Sequence, residues 1–76
     1  MFINLTLAVY DKKYNIRIDS MQRIGVGLDI LREGGKCPSG KIPDYFHSGM
    51  NQRLVSSYKT FLQEEVFDGD ILTAVI

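Results

Sequence analysis

Ile3, Leu5, Leu7 and Val9 alternate with Asn4, Thr6 and Ala8 along residues 2–10. A period of two is that of a strand with one buried face. Asp11-Lys12-Lys13 interrupts the run. Residues 14–18 then resume it, with Tyr14, Ile16 and Ile18 on one side and Asn15 and Arg17 on the other. Two alternating runs with so short a gap predict a β-hairpin, and the gap holds no Asn-Gly or Asp-Gly to fix its turn type. The period next lengthens. Met21, Ile24, Leu28 and Leu31 recur at steps of three and four, flanked by Val26 and Ile30, which is the stripe of an amphipathic helix. Asp19 is placed as its N-cap, with Gln22 completing a partial capping box, and Gly34 as its C′ stop. Gly25 and Gly27 each cost about 1 kcal/mol relative to alanine inside a helix, unless they permit close packing on a sheet.

Residues 34–44 are punctuation, with Pro38 and Pro43 stopping helix and excluding a central strand. Tyr45–Ser48 and Arg53–Ser56 read as two short strands joined by a turn at Gly49–Gln52. Thr60–Val66 reads as a connecting turn or short helix carrying Phe61, Leu62 and Val66. Asp68-Gly69-Asp70 signals a turn before a last strand over Ile71–Ile76, with Leu72 and Ala74 toward the core and Thr73 and Val75 away from it. The predicted class is α+β: a mixed sheet of four to five strands with one helix across one face. The last strand can lie parallel to the first, in the middle of the sheet. Residues 1–76 are read as one domain, without repeat, linker or low-complexity segment.

This order of elements resembles the ubiquitin-like β-grasp fold over nearly the whole chain. The best local signal is the stretch Val66, Asp68-Gly69-Asp70, Ile71-Leu72-Thr73-Ala74-Val75. Within that superfamily the opening Ile3-Asn4-Leu5-Thr6-Leu7, the hairpin, the helix from about Met21 to Glu33 and Asp68-Gly69-Asp70-Ile71-Leu72 resemble the small bacterial ubiquitin-like proteins YukD and EsaB. The resemblance implies an accessory role beside the WXG100, or type VII, secretion machinery.

Composition narrows the function classes. Nine basic and nine acidic residues cancel, and the basic ones are scattered, which argues against a general nucleic-acid binder. Hydrophobic content of 45% suits one small core. The single cysteine, Cys37, has no disulfide partner in the chain, and no Cys/His cluster suggests zinc. With no signal-peptide pattern and no spanning apolar run, a reducing cytoplasm is the expected address.

The candidate chemistry is thin. Cys37 lies beside Lys36 but lacks a partner motif for a nucleophile. His47 is the only histidine, and Ser48 next to it would point to the opposite face of a strand. Asp68 and Asp70 are too few for a calcium loop and read as turn formers. Glu64 and Glu65 read as solvated acids. Neither Gly34-Gly35 nor Gly40-Lys41 has the spacing of a phosphate loop. No catalytic, cofactor or metal residue is assigned.

Tyr10, Tyr14, Tyr45, Phe46 and Tyr58 are more aromatics than one face of a small core requires, and aromatics are enriched in protein interfaces. With Tyr45 inward, Phe46 faces outward and joins Thr73 and Val75 in an apolar patch on the solvent face of the sheet. The ubiquitin-like resemblance implies the same face as a docking surface. Conjugated modifiers and sulfur carriers end in a flexible Gly-Gly, whereas this sequence ends Ala74-Val75-Ile76. The expectation is therefore a non-enzymatic module that binds other proteins. The alternatives are a carrier serving an adenylating enzyme and a structural adaptor in an unrelated complex.

Overall fold

A computed structural model describes residues 1–35 and 42–75. Strands β1 (Phe2–Val9) and β2 (Lys12–Asp19) form the predicted hairpin, in unbroken register from Phe2 opposite Asp19 to Val9 opposite Lys12. Only Tyr10 and Asp11 join them, and Tyr10 sits at φ 54°, the left-handed geometry that a two-residue hairpin loop needs at its first position. The helix α1 (Ile24–Glu33) follows, then β3 (Tyr45–Ser48), β4 (Arg53–Ser56) and β5 (Ile71–Ala74). The five strands form one mixed sheet in the order β2-β1-β5-β3-β4. As expected, β5 runs parallel to β1, and it is antiparallel to β3 on its other side.

The core lies between α1 and one face of this sheet. Ile3, Leu5, Leu7 and Val9 from β1 meet Ile24, Leu28 and Leu31 from the helix, with Phe46, Val55, Phe61, Val66 and Leu72 closing the space. The helix approaches closely because two of its residues lack side chains. A methyl group at Gly27 would come to 3.0 Å from the Ile16 side chain and 3.3 Å from that of Leu7. One at Gly25 would lie 3.2 Å from the Ser57 carbonyl oxygen, which already accepts the Gly25 N–H at 2.9 Å.

The helix ends differ from the sequence reading. It starts at Ile24 rather than after Asp19, and Arg23 occupies the N-cap position without a side-chain bond. Its first N–H groups are satisfied from afar: Ile24 donates to the Lys59 carbonyl and Gly25 to that of Ser57, both at 2.9 Å. Asp19 instead accepts the Met21 N–H at 3.0 Å. That bond, reinforced by the Met1 amine, holds its carboxyl below the usual aspartate value. Met21 is consequently off the buried stripe and exposed. At the far end Gly34 is the C-cap, and Gly35, at φ 68°, takes the left-handed position assigned to Gly34.

Thr60–Val66 is a single tight turn stapled at both ends. The Thr60 hydroxyl accepts the Gln63 N–H while the Gln63 side chain accepts the Thr60 N–H, each at 3.0 Å, a complete capping box. At its exit Val66 N–H donates to the Phe61 carbonyl and Glu65 N–H to that of Leu62, which is a Schellman closure. Phe61 and Val66, its apolar pair, are both fully buried. Glu65 holds the left-handed position at φ 59°, where glycine is normally found. Glu65→Gly is therefore expected to stabilise the fold by about 0.5–1 kcal/mol, read as a higher urea midpoint at unchanged slope.

Candidate functional site

Strand parity decides which residues face solvent. Leu72 is buried between Leu7 of β1 and Ser48 of β3, its register partners. Ile71 and Thr73 on the same strand therefore face out. The β3–β5 register then sets Phe46 beside Ala74 and Ser48 beside Leu72, so the even positions of β3 point inward and Tyr45 and His47 point outward. Phe46 is fully buried, which corrects its placement on the solvent face, and the inward position is Phe46 rather than Tyr45. The pairing of Phe46 with Val55, also fully buried, gives the reason: both lie on the side covered by α1. Thr73 and Val75 lie on the outer face, as the alternation predicts.

One row crosses all five strands on that face, from Leu54 through His47, Thr73 and Ala8 to Lys13. The two halves of the face differ in character. Over β1 and β2 it is mainly polar, with Asn4, Thr6, Lys13, Asn15 and Arg17 beside Ala8 and the exposed Phe2, and the Thr6 hydroxyl donates to Asn15 at 3.0 Å. Over β3, β4 and β5 it carries Tyr45, Leu54, Ile71 and Val75, all between 42% and 52% exposed, around His47 and Thr73. The Val75 N–H donates to the Tyr45 carbonyl at 3.1 Å, which sets these two side by side. Apolar side chains gathered in this way on a small domain mark an interaction surface. Tyr45, Leu54 and Ile71 were missed by sequence reasoning. Ile71 shares parity with Thr73 and Val75 and was legible; Leu54 was not, because Leu54 and Val55 are adjacent and either could face inward.

The chemistry-bearing residues are spread out. His47 is exposed while Ser48 is buried on the opposite side. Ser48 donates its hydroxyl to Asp70 at 2.5 Å, and Asp70 also accepts the N–H groups of Met50 at 3.0 Å and Ile71 at 2.7 Å. Asp70, 1% exposed, is thus an interior anchor and not only a turn former. Asp68 accepts the Asn4 N–H at 2.6 Å, and Gly69, at φ 87°, makes the bend between them. Glu64 is half-buried rather than solvated and accepts the Ser56 N–H at 2.6 Å. Among the described residues no three His, Cys, Asp or Glu side chains converge as metal ligands, and no helix is long and apolar enough to cross a membrane. Cys37, Lys36 and the Gly40-Lys41 pair lie outside the described residues, as does Ile76.

Tyr58 fastens the loop behind β4. Its hydroxyl donates to the Asp44 carboxylate at 2.7 Å, and that bond, with the carboxylate's charge, raises the phenol above its usual value. A raised folded-state value means that the contribution is intact below the unfolded phenol's value, about pH 10, and disappears as pH climbs through the folded one. Wild-type stability should therefore fall more steeply than that of Tyr58→Phe as pH rises past about 10, measured by urea unfolding at stepped pH.

A five-stranded mixed sheet in this order, grasping one helix, is the ubiquitin-like β-grasp fold. Two solved structures show the likeness. The EccD5 ubiquitin-like domain from Mycobacterium xenopi superposes with a TM-score of 0.60 at 19% identity, over 99% of this chain and 93% of that one. An Arabidopsis thaliana protein, solved by combining evolutionary couplings with sparse NMR data, gives a TM-score of 0.67 at 12% identity, over 99% and 86%. No protein-family model matches the sequence, and no curated protein matches it either.

Proposed function

We propose that this chain is a non-catalytic protein-interaction module, one domain over residues 1–76, that docks a partner protein on the outer face of β3, β4 and β5. We assign it an accessory or regulatory place in bacterial type VII (WXG100) secretion, on the cytoplasmic side. The observation that carries the docking reading is the cluster of Tyr45, Leu54, Ile71 and Val75, each substantially exposed on a rigid sheet. Thr73 and His47 supply polar contacts at its centre. An interface of ordinary size, about 800 Å² per partner, fits such a face. The secretion role is supported by the sequence resemblance to YukD and EsaB and by the likeness in fold to the EccD5 ubiquitin-like domain.

The test is affinity capture from an extract of a bacterium that carries a type VII system, with wild type and a Tyr45→Ala/Leu54→Ala pair. Truncating two central side chains of an interface is expected to cost about 2 kcal/mol or more, a loss of at least thirtyfold in binding. Recovery of WXG100 proteins or their membrane ATPase by wild type alone supports both parts of the reading. Equal recovery by the variant would reject the face, and partners unrelated to secretion would reject the pathway.

A further inference from the structure

The two edges of the sheet are finished differently. At the β4 edge the outward Ser56 N–H is held by the Glu64 carboxylate at 2.6 Å, and the Leu54 carbonyl accepts from the Arg53 guanidinium at 3.3 Å. The β2 edge is open. Thr6 sends its N–H away from β2, to the Asp70 carbonyl at 3.0 Å, so Thr6 and Asn15 are a pair that exchanges no ladder bonds. The bonds to β1 therefore come from Lys12, Tyr14, Ile16 and Ile18. The N–H and C=O groups of Lys13, Asn15 and Arg17 point out of the sheet, and among the described residues no group bonds them.

Charge says what suits this edge. Lys12, Lys13 and Arg17 make no ion pair among the described residues. Arg17 lies over the Phe2 ring, 5.2 Å from its centre, which steadies the guanidinium without neutralising it. The nearby Asp19 carboxylate is already occupied by the Met21 N–H and the Met1 amine. A second copy of the chain is a poor occupant. Antiparallel pairing of two β2 strands about Asn15 sets Lys13 opposite Arg17 twice, and like charges directly opposite destabilise a pair. An acidic strand meets the opposite condition at both positions.

We propose that the β2 edge receives an extended acidic segment of a partner protein as an added strand. Its backbone pairs with Lys13, Asn15 and Arg17. Its carboxylates stand opposite Lys13 and Arg17, and its alternate, apolar side chains cover the half-buried Tyr14 and Ile16 on the other face. Main-chain pairing supplies affinity and the alternating side chains supply specificity. This edge is distinct from the β3–β5 face, and the two surfaces can be tested separately.

The probe is an octapeptide alternating glutamate and valine, titrated into isotope-labelled protein. The expected result is shifted and exchange-protected amides at Lys13, Asn15 and Arg17. Lys13→Glu/Arg17→Glu should weaken binding at least about tenfold. Asn15→Pro removes an outward N–H while sparing the ladder to β1, so it should block binding and keep the folded spectrum. The same octapeptide with every backbone amide N-methylated carries the same charge but can donate no ladder bond, and it should bind far more weakly. Equal binding by that control, shifts centred on Tyr45 and Leu54, or no binding at millimolar peptide would each overturn the proposal.

Discussion

Phe46→Ala should cost about 3–5 kcal/mol, a large part of the roughly 4–11 kcal/mol that a domain of this size has to spend. The side chain is fully buried, paired with Val55 on one side and Ala74 on the other. Removing the ring leaves a cavity that the strand cannot collapse into, because β3 is fixed by ladders on both edges. The melting temperature should fall by about 20 °C or more. Tyr45→Ala, one residue away and half exposed, should change stability by less than about 1 kcal/mol. Thermal unfolding of the two variants side by side checks the parity of β3. A larger loss for Tyr45→Ala than for Phe46→Ala would show that the strand faces the other way, and with it that Phe46 belongs to the docking face.

Asp70→Ala is the second large effect, expected at about 3 kcal/mol. Three donors converge on this carboxylate inside the protein: the Ser48 hydroxyl and the N–H groups of Met50 and Ile71. Alanine would leave two buried or half-buried N–H groups unpaired at the point where the β3–β4 turn meets the start of β5. Asp70→Asn keeps one acceptor oxygen for the N–H groups, and the Ser48 hydroxyl can rotate to accept from the new amide. It should cost about half as much. Ser48→Ala removes one donor to Asp70 and the acceptor of a longer bond, 3.2 Å, from the Asn51 N–H, and should cost less than Asp70→Ala. Urea midpoints at pH 7 give the order; Asp70→Ala no worse than Ser48→Ala would show that the carboxylate is not the hub.

Much of this fold is written in the sequence, and the parts that are not have a common cause. The period-two run from Ile3 to Val9 and the step to period 3.6 after Ile18 reflect contacts with a single large core, and they can be read locally. The helix start could not be, because its first donors are capped by the Lys59 and Ser57 carbonyls from a distant loop. The parity of β3 was hidden for a similar reason. Its inward pair is Phe46 and Ser48 and its outward pair Tyr45 and His47, so hydrophobicity is divided between the faces. The buried Asp70, which accepts the Ser48 hydroxyl, and the Asn51 N–H, which donates to it, make a serine acceptable inside. Of the proposed docking face, Thr73, Val75 and Ile71 follow from the alternation of β5, whereas Tyr45 and Leu54 require the register between strands. The Thr60–Gln63 capping box was readable from its spacing alone.

The place of β5 has a consequence for biosynthesis. It is the last of these five strands to leave the ribosome, yet it lies between β1 and β3 and joins the two hairpins into one sheet. Until residues through Ala74 have emerged, β1–β2 and β3–β4 have no shared hydrogen bonds and Leu72 is missing from the core. A nascent chain halted before Ile71 therefore carries two unjoined hairpins with exposed inner edges. Folding is held back until the final strand arrives, and in that interval the growing chain is open to chaperones and to strand exchange with its neighbours.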